Sequence, residues 1–394
     1  MMNRRMKKNR FAIMLILIAL TGNSVLFSQS SDELNAIQTV VPFLTIAPDS
    51  RSGGIGDAGV ATSPDVYSMH WNPAKFAFID GKAGVGISYS PWLRNLVPDI
   101  NIAYLTGYYR FDKKQVASAS LLYSSLGDVP FTDDFGNLER TFKPNELAFD
   151  LGYSRIFAEY FSGGIAFRFI YSNLTGGTYS GGEATKPGTS FAADISGYYQ
   201  RDITLFSKDA QLAFGLNFSN IGSKMSYSDG QTSDFIPMNM RLGTAGTIEL
   251  DNFNKLSLAI DFNKLLVPTP PIYNTDMEII DGKDPNVSVP IGIFQSFYDA
   301  PDGFKEEIHE ITSSIGLEYW YNNQFAVRVG YFHENETKGN RKYFTAGAGF
   351  RLKGFTIDFS YLMPTASNHP LARTLRFSLA FDINALQTSG GSGQ

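Results

Sequence analysis

The sequence contains no cysteine among its 394 residues, and only four histidines and three tryptophans. The absence of cysteine excludes disulfide bonds, thiolate nucleophiles, cysteine-ligated zinc and a lipid-modified N-terminal cysteine. Charge is also sparse, since Asp, Glu, Lys and Arg together make up 18% of the chain. No proline- or serine-rich stretch and no change of composition marks a linker, so we predict one large domain.

Long apolar runs are scarce as well. The run Phe11–Leu20 follows a basic stretch that begins at Arg4, and it is too short for a membrane-spanning helix, which needs ~20 residues. This pattern is typical of a signal peptide, which we place at 1–28, so the protein is exported. The net charge of −5 becomes more negative once the basic stretch is removed. Such a chain is poorly suited to bind nucleic acid, which requires a basic surface.

What the sequence does contain is alternation. From residue 82 onward, large apolar residues alternate with small or polar ones in stretches of about ten, the length of a tilted transmembrane strand. The clearest stretch interleaves Leu147, Phe149, Leu151 and Tyr153 with Glu146, Ala148, Asp150 and Gly152. The pattern predicts fourteen strands, at 82–91, 100–110, 115–125, 145–156, 161–171, 189–201, 210–221, 237–250, 255–266, 311–321, 324–332, 342–352, 355–363 and 374–383.

The connections between these strands alternate between short and long. The short ones are 111–114, 157–160, 202–209, 251–254, 322–323 and 353–354, and the long ones include 126–145, 172–188, 222–236 and 267–310. Short periplasmic turns and long extracellular loops are typical of outer-membrane barrels. We therefore predict an all-β fold, a 14-stranded antiparallel transmembrane barrel at 82–383 in the outer membrane of a Gram-negative cell. A periplasmic or luminal segment at 29–81 precedes it, and a flexible tail at 384–394 follows.

Two further patterns concern the predicted wall. Charged residues of both signs occupy inward positions and predict an interior braced by ion pairs: Asp150, Arg168, Asp194, Arg241, Asp261, Glu318, Arg328, Asp358 and Arg376. Aromatic residues near strand ends predict interfacial girdles: Trp92, Tyr108, Tyr109, Tyr198, Tyr199, Trp320 and Tyr321.

The segment Arg51–Ala74 contains Gly54-x-Gly56-x-x-Gly59, which matches the dinucleotide-binding fingerprint. That fingerprint works only between a buried strand and a helix in a βαβ unit, and this context is missing. We interpret the glycines as sites of close backbone packing inside the barrel, where the segment plugs the lumen. The predicted plug motif comprises Gly53, Gly54, Gly56, Asp57, Gly59, Asn72 and Pro73, with Asn72-Pro73 as a turn into the first strand.

Catalytic patterns are weak. His70, His309, His333 and His369 fall in the N-terminal segment or in predicted loops, where we expect them to be solvated, and none is part of a zincin motif. The acidic runs Asp281–Asp284 and Asp299–Asp302 do not follow EF-hand spacing. We expect no enzymatic activity, no cofactor and no metal.

The long connection 267–310 is unusually apolar for a loop of this length. Its prolines predict a stiff entry, and a later cluster contains large apolar side chains that are costly to leave in water. We predict a partner-binding loop, although the same residues could fold down as a lid over the barrel mouth. The residues concerned are Pro268, Pro270, Pro271, Ile291, Ile293, Phe294, Phe297 and Tyr298.

The stretch from Gly53 to Ala61, Gly-Gly-Ile-Gly-Asp-Ala-Gly-Val-Ala, is followed by Trp71-Asn-Pro-Ala74. Together these stretches resemble the N-terminal signature of the FadL-like outer-membrane barrels, and within that superfamily they are most similar to the PorV family of the Bacteroidota type IX secretion system. The resemblance implies an occluded lumen and association with an SprA-type translocon barrel. It also implies that secreted proteins are collected through their C-terminal domains and passed to a sortase-like attachment complex. The FadL-like fold alone would instead suggest a transporter of hydrophobic small molecules, and this alternative stays open.

Overall fold

The structure is a computed structural model. It describes residues 34–383 except 95, 96, 98, 133, 134, 136, 178, 181, 182, 230, 231, 367 and 368. All contacts reported below lie within the unit Asn35–Gln394. The predicted signal peptide and the predicted tail lie outside the described residues.

Fourteen antiparallel strands form a closed barrel, as predicted. They are Ala83–Pro91, Ile100–Arg110, Gln115–Leu126, Asn145–Ala158, Phe161–Asn173, Gly188–Leu205, Lys208–Gly222, Asn239–Glu249, Asn254–Leu265, Thr312–Tyr321, Phe325–His333, Lys342–Leu352, Phe355–Pro364 and Leu375–Asp382. One predicted turn was wrong: the sixth and seventh strands extend through 202–209 and leave only Phe206 and Ser207 between them.

The first strand closes the barrel by pairing with the fourteenth, where Ile87 lies opposite Leu379. On the first strand the outward side chains Val85, Ile87 and Tyr89 are 48%, 52% and 47% exposed, whereas Ser88 between them is buried. Successive side chains of a strand point to opposite faces, so the sequence alternation places an apolar face outside and a polar face inside. All nine charges predicted to point inward are buried.

The girdle prediction was wrong for half of each aromatic pair. Tyr108, Tyr198 and Trp320 are buried inside the barrel, whereas Tyr109 and Tyr321 are exposed. The cause is the same period of two, which must turn one of two consecutive residues inward.

Short elements occupy the connections and the N-terminal segment. The α-helices are Ser50–Gly53, Ser68–Trp71, Val289–Gln295 and Phe304–His309, and the 3-10 helices are Pro42–Thr45, Pro73–Phe78 and Glu336–Lys338. Small hairpins pair Val129–Thr132 with Leu138–Phe142, Tyr179–Ser180 with Glu183–Ala184, and Ile272–Tyr273 with Ile279–Asp281. The long loop 267–310 therefore has its own secondary structure. Among the described residues, no helix is both long and apolar enough to cross a membrane.

Candidate functional site

The N-terminal segment, defined here as residues 35–81, contacts inward-facing groups of strands around the barrel circumference. Because these strands lie on different sides of the barrel, the segment lies inside it. Its hydrogen bonds to the wall include Ser50 N to Ser378 Oγ (2.8 Å), Gly56 N to Thr345 Oγ1 (2.8 Å), Thr106 Oγ1 to Val66 O (3.0 Å), Asn217 Nδ2 to Trp71 O (3.0 Å) and Ser162 Oγ to Ala74 O (2.7 Å).

The motif glycines permit close approach to the wall. Gly56 has φ +73°, and a Cβ there would lie 2.7 Å from the carbonyl oxygen of Tyr331. A Cβ on Gly53 would lie 2.6 Å from Nη1 of Arg376. Gly54 faces the backbone of Gly347, and Gly59 faces the Trp71 ring.

The wall also has glycines where it contacts the segment. The sequence alone did not identify these glycines as part of the site. A Cβ on Gly164 would lie 2.6 Å from Ala74 N, and Gly215, Gly316 and Gly330 likewise face the backbone of the segment. The alternation pattern does place these glycines at inward positions of their strands. Their role in packing can be inferred only when the opposing segment is known.

Two carboxylates attach the glycine motif to the wall, one from the wall and one from the motif itself. Asp261, on the ninth strand, accepts hydrogen bonds from the backbone N–H groups of Gly59 (2.6 Å) and Val60 (2.9 Å). Asp57 accepts a hydrogen bond from the Tyr343 hydroxyl (2.6 Å) and lies 3.2 Å from Nη1 of Arg376. The motif is therefore anchored by charge on two sides of the barrel.

Asn72 does not form a turn into the first strand, contrary to prediction. Its Oδ1 accepts a hydrogen bond from Ala74 N (3.0 Å) and caps the 3-10 helix Pro73–Phe78, with Pro73 at the first helical position. Its Nδ2 donates to Gly197 O on the sixth strand (3.0 Å). Asn72-Pro73 thus starts a helix and fixes that helix to the wall.

Ion pairs brace the interior, as predicted. Glu318 accepts hydrogen bonds from Arg51 (3.1 and 2.8 Å) and from Arg328 (2.6 Å), and Arg328 also pairs with Asp358 (2.6 Å). A second group joins Arg168 to Asp150 (2.5 Å) and to Asp194 (3.2 Å). Arg51 belongs to the N-terminal segment, so the first group ties the segment to the tenth strand.

The expectation of solvated histidines was wrong for His70. It is buried, and its ring meets Trp71 edge-on at 4.9 Å between centroids. The other three are half-buried, and His333 ends the eleventh strand rather than lying in a loop. Within the described residues, no group of three or more potential ligands could hold a metal ion.

The base of the loop 267–310 contacts both the ninth strand and the N-terminal segment, where Asn35 Nδ2 donates to Pro270 O (3.2 Å) and to Glu306 (2.9 Å). On the ninth strand Phe262 points outward and is exposed, and Lys264, two residues on, shares that side but is buried. Its Nζ donates to Glu307 (3.0 Å) and Glu310 (2.6 Å) of the loop. Pro268 and Pro271 are buried in this base and Pro270 is half-buried. These three prolines, which we predicted to be part of the partner-binding loop, therefore pack mainly within the protein.

The helix Phe304–His309 in this loop buries its charged side and exposes its apolar side. A helix that faces water usually has the opposite arrangement. Glu306 and Glu307 are buried, whereas Phe304 is 80% exposed and Ile308 lies exposed one turn later. Lys338 pairs with Glu306 (2.5 Å) and satisfies the inner face. The charged side is inside, and the apolar side is outside.

The predicted apolar cluster of the loop divides into two groups. Ile291, Phe294, Phe297 and Tyr298 are exposed, Phe294 by 70%. Ile293 is half-buried and packs against the hydrophobic core. The docking prediction and the lid alternative both stay predictions.

Two carboxyl groups at the loop base have shifted pKa values. Burial raises the pKa of Asp299 to about 6, against the hydrogen bond from Thr269 N and with reinforcement from nearby Glu307. Burial also acts to raise the pKa of Glu306, but hydrogen bonding to Lys338 and to Asp302 N outweighs it and lowers that pKa.

These features define a class of protein: an antiparallel β-barrel with an apolar outer face and an ion-paired interior packed against its own N-terminal segment. Within that class, the chain belongs to the family described as type IX secretion system protein PorV, whose sequence profile matches residues 29–272. No curated protein sequence matches the chain significantly.

Several solved barrels are similar at low identity. The toluene transporter TodX of Pseudomonas putida is 12% identical, with 88% of this chain and 98% of that chain covered and a TM-score of 0.48. The toluene transporter TbuX of Ralstonia pickettii is 12% identical, with coverages of 85% and 97% and a TM-score of 0.41. A FadL homologue of Pseudomonas aeruginosa is 12% identical, with coverages of 88% and 99% and a TM-score of 0.42. With TM-scores this low, none of these proteins indicates a substrate for this chain.

Proposed function

We propose that this chain is an outer-membrane component of type IX protein secretion. In this role it binds the translocon barrel and carries substrates with a C-terminal secretion domain to the surface attachment complex. Membership of the PorV family carries the proposal. The exposed apolar surface of the loop 267–310 supports it, because a carrier must dock on other proteins.

The membrane setting is part of the proposal and rests on the outer wall. Large apolar side chains are exposed on strand after strand, for example Leu105, Leu151, Ile195 and Val327. Soluble monomers rarely expose contiguous apolar patches larger than a few hundred Å². A band of this kind around a closed barrel is the surface that lipid tails solvate.

We also propose that the N-terminal segment plugs the lumen, since its wall contacts come from opposite sides of the barrel. Single-channel recording in planar bilayers tests this directly. The intact protein should give small conductance, and deletion of residues 35–80 should raise it. Large, stable currents from the intact protein would contradict the plug.

The docking surface is assigned to Ile291, Phe294, Phe297, Tyr298 and the apolar side of the helix Phe304–His309. The loop base covers Lys264 of the ninth strand and contacts Asn35 of the N-terminal segment, so we place this surface at the rim of the barrel. A partner that meets it would bury apolar side chains that the chain itself leaves exposed.

Replacement of Ile291, Phe294 and Phe297 by Ser should leave the barrel folded and weaken co-purification with the translocon barrel and secretion of substrates. The matched control replaces Phe206 and Phe253, which are exposed aromatic residues in short turns at the other end of the barrel. Normal secretion by the loop variant would show that the docking assignment is wrong.

The transporter alternative is tested by purification in mild detergent and identification of what accompanies the protein. Co-purifying translocon or secreted substrates would favour secretion. A bound lipid-like molecule without protein partners would favour transport. The hydrogen bonds between the N-terminal segment and the wall favour the first outcome, because a diffusion path needs an opening through or beside this segment.

A further inference from the structure

A cavity of about 570 Å³ lies inside the barrel at the end that carries the long loops. Its walls include aromatic and aliphatic side chains from the N-terminal segment, the strand ends and the connection before the last strand: Trp71, Trp92, Leu265, Phe332 and Leu371. Its size is typical of sites for small organic molecules, which range from ~300 to 1,000 Å³.

Arg241, on the eighth strand, lines this cavity and is 4% exposed. Its guanidinium lies over the Trp71 ring at 5.1 Å, and Nη1 donates to the backbone oxygen of His70 (2.8 Å). Among the described residues, no carboxylate lies within 4.0 Å of it to form an ion pair. A buried cation without an anionic partner is costly, because neutral acceptors replace only part of its lost hydration.

Two carboxylates of the wall, Asp194 and Asp261, act electrostatically on Arg241, and each has other hydrogen-bond partners. Asp194 pairs with Arg168 at 3.2 Å and accepts a hydrogen bond from Asn220 N (2.8 Å). Asp261 is held by the N–H groups of the glycine motif. Both act on Arg241 electrostatically from beyond ion-pair distance, and Oδ1 of Asp261 has no hydrogen-bond partner.

Other charged residues that line the cavity have partners. Arg341 pairs with Glu334 at 2.6 Å, Lys338 pairs with Glu310 at 3.1 Å, and Asp57 pairs with Arg376 at 3.2 Å. Arg241 is thus distinguished from these neighbours: it faces the same space without a carboxylate. Asn239 and Asn263 border that space with amide groups that can orient a polar ligand.

We propose that this cavity binds a small organic carboxylate, with the anionic group on Arg241 and an apolar body against Trp92, Phe332 and Leu371. Charge-assisted hydrogen bonds between guanidinium and carboxylate are about twice as strong as neutral ones, which selects an anion over its neutral analogue. The site goes beyond the proposed secretion role, which depends on the docking surface of the loop 267–310 and does not require a ligand in this cavity.

Calorimetric titration of the full chain in detergent tests the proposal with cyclohexanecarboxylate and its neutral isostere, cyclohexanecarboxamide. The carboxylate should bind, and the affinity of the carboxamide should be lower by a factor of about ten or more. A factor of ten corresponds to ~1.4 kcal/mol. Arg241→Gln should remove this preference, whereas Arg241→Lys should keep most of it. Arg341→Gln is the matched control, because this arginine borders the same cavity but already has an anionic partner, and it should change affinity less than about twofold.

Equal binding of carboxylate and carboxamide would overturn the proposal, as would the absence of carboxylate binding at millimolar concentration. Equal losses in Arg241→Gln and Arg341→Gln would overturn the assignment to Arg241. Folding of each variant is checked by heat-modifiable migration in gel electrophoresis, and the Lys variant keeps the test valid if the Gln variant does not fold.

Discussion

The N-terminal segment and the loop 267–310 are both irregular in sequence, yet they use polar and apolar groups in opposite ways. The segment is buried, and backbone groups of its glycine motif are satisfied by wall side chains such as Asp261 and Thr345. The loop turns Glu306 and Glu307 inward and leaves Phe294 and Phe304 exposed. In this protein, therefore, buried residues lie in a polar interior. Exposed residues lie on or beside an apolar outer surface.

The largest effect is expected where the segment joins the ion pairs of the wall. Glu318→Gln removes the charge that Arg51 and Arg328 share and leaves both cations less neutralised in a buried site. We expect a loss of about 3–5 kcal/mol in the free energy of unfolding. Denaturant titration of the protein in detergent measures it.

The control for this prediction is Glu249→Gln, which affects an ion pair at the barrel end. Glu249 lies 2.7 Å from Lys255, and both side chains are partly exposed. Solvent screening limits such a pair to ~0–1 kcal/mol. If the two variants lose equal stability, the interior ion pairs do not hold the segment.

The next effect is expected from backbone packing of the segment. Gly56→Val places a branched side chain at φ +73° and against the backbone of the eleventh strand. Left-handed backbone and overpacking should together cost about 2–3 kcal/mol. Hydrogen exchange should show that the segment, rather than the strands, loses protection.

Gly246→Val is the matched control, because a Cβ at Gly246 meets no atom within 4 Å. It should leave stability almost unchanged, since β-branched residues suit strands. An equal loss in both variants would mean that glycine matters for the strands and not for the fit between segment and wall.

The barrel could be predicted from sequence because its signal is local. The alternation within each strand shows which side chains face the interior. Asp150 and Arg168 were therefore correctly predicted to point inward, and they form an ion pair at 2.5 Å. The wall glycines could not be assigned a role, because the residues that they face lie in a segment at least 90 positions away in sequence, as for Gly164 and Ala74. Gly316, for example, is glycine because Ile55 occupies the space beside it.

The loop was predicted least well, for a related reason. Alternation places Lys264 on the outer face, where a lysine in a lipid-facing position would be costly. Only the fold of the loop explains it, since Glu307 and Glu310 return to cover it. The pairing depends on contacts between residues about forty positions apart, and no periodicity encodes such contacts.

A smaller effect should separate the two groups of apolar residues within the loop. Ile293→Ser removes a half-buried side chain from the core and should cost ~1 kcal/mol of local stability. Phe294→Ser, at an exposed position, should cost less than ~0.5 kcal/mol. Limited proteolysis of the loop compares them, and equal protection in both variants would contradict the division between base and surface.

The smallest effect is expected from pH at the loop base. Burial raises the pKa of Asp299 from 3.8 to about 6, so the folded loop binds this proton more tightly than the unfolded loop does. The resulting stabilisation is fully present below the unfolded pKa and is lost as pH rises through about 6. Glu306 does not oppose this change, because its lowered pKa keeps it ionised throughout. Loop amides of the wild type, corrected for intrinsic exchange, should therefore be slightly better protected at pH 5.5 than at pH 7.5, by less than ~1 kcal/mol near the surface. In Asp299→Asn, whose amide cannot ionise, that difference should shrink. If the Asn variant keeps the full dependence on pH, another group at the loop base carries the titration.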